Sequence, residues 1–357
     1  AINRCTIANV YGGNIDTRVF LSGNPDLPNS DFQSGLYDPT YFGDTSYTKI
    51  GSDRSRIMGY HKIVDSQMII KSDNEQDATH YLRTYQLDSS NTPIFPLTQG
   101  KDSYGAVAKR SFATLGDVPL YLSKDGVIGI FSTSVKQQAS MKNVSVFVNN
   151  RLTKERNIEN ATGYAFGDKY YLCINDNVYV ADGKQFNNGQ FEWYYWNNIG
   201  ATVLIEFCDA LYFGKADGLY RFYNNDEENP YNDASEPIDA YWTTPFTTFE
   251  QWDRLKNIER ISTVIMPYTH TGVKQSYRTN HVHLHTFNEK HADLFDFNDI
   301  DFSRFSFATI QAPTPICKKI KVKKCLTFQL KIQNDWGNEP FGLLAVAIDY
   351  RIGNQIK

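Results

Sequence analysis

Three groups of side chains have types and spacings that chemistry could use. The first is His281-Val-His-Leu-His285, with His270 and His291 nearby in sequence. In a strand, residues i, i+2 and i+4 share one face, and imidazole is a common ligand of zinc and nickel. Adjacent same-face positions lie about 6–7 Å apart, which is long for three rings to meet at one ion. No carboxylate or water-positioning partner is identifiable. His281, His283 and His285 are therefore weak metal candidates, and a solvated sheet face is the expectation. The second group is basic: Lys318, Lys319, Lys321, Lys323 and Lys324 surround Ile320 and Val322. That alternation suits an exposed edge strand, where lysine blocks unwanted pairing. The same charges could meet DNA phosphates, but the chain as a whole carries a net charge of −4.

The third group is a recurring aspartate. Asp16-Thr-Arg-Val-Phe-Leu-Ser-Gly is followed by Asp65-Ser-Gln-Met-Ile-Ile-Lys-Ser and Asp117-Val-Pro-Leu-Tyr-Leu-Ser-Lys. Asp168-Lys-Tyr-Tyr-Leu-Cys-Ile-Asn and Asp209-Ala-Leu-Tyr-Phe-Gly-Lys-Ala complete the series, at intervals of 41 to 52 residues. Calcium would need several oxygen ligands converging on one loop, and no copy offers them. Asp16, Asp65, Asp117, Asp168 and Asp209 read as turn residues whose side chains satisfy backbone N–H groups. Repetition at this period marks stacked β-units, most simply propeller blades of four strands.

Enzyme signatures are scarce. There is no Gly-x-Ser-x-Gly elbow, no His-Glu-x-x-His and no phosphate-binding glycine loop. Paired carboxylates for glycoside hydrolysis are not singled out, because sequence spacing does not give separation in space. The expectation is no catalytic residue, no cofactor and no enzyme.

The elements that must position these groups are all β. Aromatic residues make up 14% of the 357, and aromatics favour strands. The reading is a β-propeller of about five recognisable blades over 1–224, a linker over 225–237 and a β-sandwich over 238–357. A preceding segment could add the closing strand. The stretch 22–52 holds Asn24-Pro-Asp-Leu-Pro-Asn and Tyr37-Asp-Pro-Thr-Tyr-Phe, and reads as a long ordered loop. Asn224-Asn-Asp-Glu-Glu-Asn-Pro is polar and rich in breakers, as linkers are. Phe32, Tyr41, Trp193 and Trp196 are candidate interface anchors, with Lys318, Lys319 and Lys321 beside them. Cys173 and Cys208 fall in apolar runs and read as small core side chains. All five cysteines are expected reduced, though a Cys317–Cys325 pairing stays open. No apolar stretch is long enough for a membrane-spanning helix.

The order of phrases resembles a family of bacteriophage virion proteins from phages of low-GC Gram-positive bacteria. The carrying stretches begin with Tyr11-Gly-Gly, Arg18-Val-Phe-Leu-Ser-Gly-Asn-Pro-Asp and Asp38-Pro-Thr-Tyr-Phe. They continue through Gly51-Ser-Asp, Ile57-Met-Gly-Tyr, Asp182-Gly-Lys-Gln and Leu211-Tyr-Phe-Gly. Ala240-Tyr-Trp-Thr-Thr-Pro, Asp296-Phe-Asn-Asp-Ile-Asp-Phe and Glu339-Pro-Phe-Gly-Leu close the series. The resemblance implies a structural protein of a phage tail or head–tail junction, similar in plan to tail nozzles. It implies a symmetric oligomer that contacts its own copies, other tail or connector proteins and exiting DNA, after assembly in the host cytoplasm. Two alternatives remain at this stage. One is a host-surface carbohydrate-binding or depolymerising propeller, and the other a cellular protein–protein interaction propeller.

Overall fold

The computed structural model describes residues 1–13, 16–73, 77–100, 104–132, 139–223, 230–297, 300 and 302–355. Asn74 and Glu75, Asn224 and residues 225–229 of the expected linker, and Asn298, Asp299 and Asp301 lie outside them. The chain divides into two compact units, Ala1–Tyr223 and Asn224–Lys357. Among the described residues no helix exceeds four residues, the length of α1 (Asn149–Leu152). None is long and apolar enough to cross a membrane.

The first unit is a series of antiparallel sheets taken in chain order. Sheet one contains β1 (Ile7–Gly12), β2 (Thr17–Ser22), β3 (Ser30–Gln33) and β4 (Tyr47–Lys49). Sheet two contains β5 (Ile57–Ile63), β6 (Ser66–Lys71), β7 (His80–Thr84) and, after a small β8 (Gln86–Leu87) and β9 (Pro93–Ile94) hairpin, β10 (Leu97–Gln99). Sheet three contains β11 (Ala113–Leu115), β12 (Val118–Ser123), β13 (Gly126–Ser132) and β14 (Ala139–Asn143). Sheet four contains β15 (Thr162–Phe166), β16 (Lys169–Ile174), β17 (Asn177–Asn187) and β18 (Gln190–Trp196). Sheet five has three strands among the described residues: β19 (Val203–Phe207), β20 (Ala210–Lys215) and β21 (Gly218–Arg221).

Each repeated aspartate stands immediately before the second strand of its sheet. Four of them close two-residue hairpins, since Ile63 pairs with Ser66, Leu115 with Val118, Phe166 with Lys169 and Phe207 with Ala210. Gly116 and Gly167 supply the positive φ that such turns require at their first central position. Two of the side chains differ from expectation. Asp168 Oδ2 pairs with Lys184 Nζ at 2.8 Å, and Asp16 Oδ1 accepts from Arg18 Nε at 3.2 Å. A carboxylate beside a long cation takes the charge-assisted partner over a backbone N–H.

Alternation along the second strands sorts side chains to two faces. Counting from the aspartate, the third and fifth residues turn toward the following sheet and the fourth toward the preceding one. Met68 and Ile70 share a core with Tyr121 and Ile128 of sheet three. Ile69 turns back to Tyr11 and Phe20 of sheet one. Leu120 and Leu122 join Tyr170 and Leu172 of sheet four. Tyr171 and Cys173 join Leu211 and Phe213 of sheet five. Sheet one, with a longer turn before β2, has the opposite phase, so that Phe20 faces forward. Each fully buried apolar side chain contributes about 1.5–3 kcal/mol, so four cores of this kind bind the five sheets in series.

The expected loop over 22–52 is a correction. It contains β3 and β4, the outer strands of sheet one, and its turn residues punctuate those strands. Cys208 is also corrected. It is exposed, with φ 48°, in the β19–β20 turn. Cys317 and Cys325 are both free.

In the second unit, β22 (Asn232–Asp233) and β23 (Glu236–Pro237) form a hairpin inside the expected linker. One sheet then has the order β24 (Ala240–Thr243), β29 (Phe328–Asn334), β26 (Gly272–Thr279), β27 (His285–His291). The other has the order β28 (Thr314–Cys325), β25 (Arg254–Met266), β30 (Gly342–Gln355). Ile258, Ile261 and Ile265 of β25 share one core with Phe328, Leu330 and Ile332 of β29, so the two sheets contribute to a common interior.

Candidate functional site

The structure separates the histidines. Asn280 and His281 both have positive φ, and Val282 N–H bonds Thr279 C=O in the turn between β26 and β27. His281 stacks on Phe246 at 3.9 Å and His285 on Tyr277 at 5.5 Å. Only His285 is in the strand, so the expected row of three imidazoles is corrected: a turn interrupts it. Among the described residues no group of three or more His, Cys, Asp or Glu could hold a metal ion.

Three expected interface anchors pack within the first unit instead. Phe32 is buried against Tyr47. Trp193 donates from Nε1 to Val144 C=O at 2.9 Å and packs on the core between sheets three and four. Trp196 packs beside Tyr171 and Phe222. Tyr41 stays 62% exposed, and Lys318, Lys319 and Lys321 are exposed on β28, which is an edge strand.

Early strands of successive sheets in the first unit run beside one another, β1 next to β5, β5 next to β12, and β11 next to β15. Along them lies a cleft of about 520 Å³ lined by Thr6, Ile7, Ala8, Met58, Gly59, Tyr60, Lys109, Arg110 and Phe112. Its charged lining residues are the cations Lys109 and Arg110. Lys109 Nζ donates to Thr6 Oγ1 at 3.2 Å. Burial, and then Arg56, hold the Lys109 ammonium below its ordinary pKa. This lining suits an anionic group. The paired carboxylates of glycoside hydrolysis have no representative in it. Sequence reading missed these cations, because they fall between repeats with no local motif around them.

A buried polar network backs the cleft and ties sheet one to sheet two. Tyr60 OH donates to Asp31 Oδ1 at 3.0 Å. Arg83 pairs with the other oxygen of Asp31 and donates from Nη1 to Gln67 Oε1 at 2.7 Å. Gln67 Nε2 in turn donates to Asn9 Oδ1 at 2.7 Å, and the Arg83 guanidinium lies 4.1 Å over the Phe20 ring. Burial pushes the Asp31 carboxyl up from its ordinary pKa while Arg83 opposes it. Beside the network, His61 Nε2 bonds Leu120 C=O at 2.9 Å, and burial holds that imidazole down to about 4.

A second surface stands out by composition. On sheet five the face turned away from sheet four carries Val203, Ile205, Phe207 and Leu219, which are 48%, 52%, 65% and 67% exposed. The matching faces of sheets one to four are covered cores.

No protein-family model matches the chain, and no curated protein matches it. Solved structures of exo-β-1,3-galactanase from Phanerochaete chrysosporium align along its length. A variant with β-1,3-galactotriose covers 96% of this chain and 95% of its own, at 6% identity and TM-score 0.33. The form with galactose covers 97% of this chain and 69% of its own, at 8% identity and TM-score 0.24. The expectation that the chain is not an enzyme does not stand beside them and is withdrawn. At this identity and TM-score they transfer no activity, substrate or residue.

Proposed function

We propose that the chain is a structural protein of a phage tail or head–tail junction, a propeller with an appended sandwich that works through surfaces shared with its neighbours. The observation that carries this is the uncovered outer face of sheet five. It has the residue types of the four cores beside it, and large contiguous apolar faces mark association sites. Lys109 and Arg110 in the cleft supply the charge that passing phosphates would meet. Immunogold labelling of intact virions with an antibody to this chain tests the role. Label at one fixed place on the tail supports it, and particles without label remove it.

The second reading is a propeller that engages host-surface carbohydrate. Tyr37 and Tyr41 favour it, because both project from one loop of sheet one, 75% and 62% exposed, and exposed tyrosine rings give sugars an apolar face with a polar handle. A glycan array that includes β-1,3-linked galacto-oligosaccharides separates the readings. Saturable binding that Tyr41→Ala removes would establish this one.

A further inference from the structure

We infer that the outer face of sheet five in one copy packs on the free face of sheet one in the next, so that copies join head to tail. The inference rests on the proposed role as an assembled protein and names the surface and partner that role requires. Within one chain every sheet has a forward and a backward face. The forward faces of sheets one to four are covered by the backward faces of sheets two to five. Two faces are left over. One is the forward face of sheet five, with Val203, Ile205, Phe207 and Leu219 exposed. The other is the backward face of sheet one, where Ala8 and Val10 are exposed and Val19 and Leu21 half-buried.

The partner follows from continuity with the four interfaces already built. Each joins the forward-facing alternates of one second strand to the backward-facing alternates of the next. A forward face therefore fits a backward face, and the uncovered backward face on this chain is that of sheet one. Each leftover patch carries a cation at its margin, Arg221 on β21 and Lys49 on β4, while the β19 and β1 residues that would meet are apolar. Such a contact is heterologous: it uses different patches on the two partners, and it closes into a ring or continues as a filament.

The test is complementation of two variants of the full chain, followed by light scattering on a sizing column. Ile205→Asp spoils the forward face and Val10→Asp the backward face. Both positions are more than half exposed, so each variant keeps its fold, which circular dichroism checks. The wild type is expected to form particles larger than a dimer. Each variant alone is expected to be a monomer, with association weakened at least about thirtyfold by a charge in the contact. Mixed, the two variants are expected to form a one-to-one dimer, because each keeps the face the other lacks. A monomeric wild type overturns the inference, as it would if another polypeptide or the chain's own closure covered these faces. A mixture that stays monomeric overturns it too, as does either variant that still assembles alone. The outcome is independent of immunogold labelling: labelled virions with a monomeric wild type would leave the tail role standing and remove only the head-to-tail contact.

Discussion

Tyr60 of sheet two donates its hydroxyl to Asp31 of sheet one at 3.0 Å, and Arg83 holds the other carboxylate oxygen. All three side chains are buried. Arg83→Met would leave the carboxylate without its cation in a dry site, at a cost of about 3–5 kcal/mol. Burial already raises the Asp31 pKa, and losing Arg83 would raise it further. A raised carboxyl favours the folded state when protonated, so the deficit of Arg83→Met should shrink as pH falls through that raised value. The double variant Asp31→Asn, Arg83→Met should recover part of the loss. Urea unfolding at several pH values measures both effects. An Arg83→Met deficit independent of pH would refute this account of the network.

His61 gives the opposite slope. Its imidazole is buried beside the stacked Phe112 and Tyr121 rings and held at about 4, against an ordinary value near 6.5. Between those values the unfolded chain binds the proton and the folded chain does not. Stability should therefore fall as pH drops from about 6.5 to about 4, by about 3 kcal/mol in all. His61→Phe should remove this part of the acid sensitivity. Denaturant midpoints across that range for both proteins provide the check. Parallel curves would show that His61 does not titrate on unfolding.

Val64 occupies in sheet two the turn position that Gly116 and Gly167 hold in sheets three and four. Its φ is 51°, a region that penalises β-branched side chains. Val64 is also exposed, so little packing offsets the strain. Val64→Gly should raise stability by about 0.5–1 kcal/mol, and Gly167→Val should lower it by about 1–2 kcal/mol. Thermal melts of the two variants should move in opposite directions.

The repeated aspartates made the sheet series legible because a hairpin turn constrains residue type locally. The same locality explains what was lost. Ser22 to Ser52 reads as a loop because β3 and β4 are short and are set among prolines and turn formers. Trp193 and Trp196 read as exposed because alternation alone does not say which face a neighbouring sheet covers. Lys109, Arg110 and the Asp31–Arg83 pair are assembled by contacts between sheets, and no spacing in the sequence records those. The histidine row failed on backbone geometry, since β26 ends at Thr279 and two consecutive positive φ values at Asn280 and His281 turn the chain before β27 begins at His285.

Ile320 and Val322 of β28 face the core while Lys319, Lys321 and Lys323 face solvent on the sheet edge. Lysine on an exposed edge opposes pairing with another chain by charge and by side-chain entropy. Replacing these three lysines with threonine keeps strand propensity and removes the guard. The triple variant should melt within about 0.5 kcal/mol of the wild type, yet aggregate faster on mild heating. Turbidity at a temperature below the melting transition measures this. If its rate matched the wild type, the lysines would have another purpose, and phosphate contact would be the next to examine.

Thiol chemistry reports on the sheet cores independently. Cys173 lies in the core between sheets four and five, and burial pushes its thiol up to about 12. Cys325 is buried in the second unit's core, and burial raises its thiol as well. Cys208 and Cys317 are exposed. The thiolate is the reactive form, so a disulfide reagent at about pH 8 should modify Cys208 and Cys317 quickly. Cys173 should react only on unfolding, at a rate that falls with any change that stabilises sheets four and five. Mass spectrometry of the labelled peptides distinguishes the sites. Prompt labelling of Cys173 in the folded protein would mean that sheet five opens readily from sheet four, and that the core they share is far looser than its burial implies.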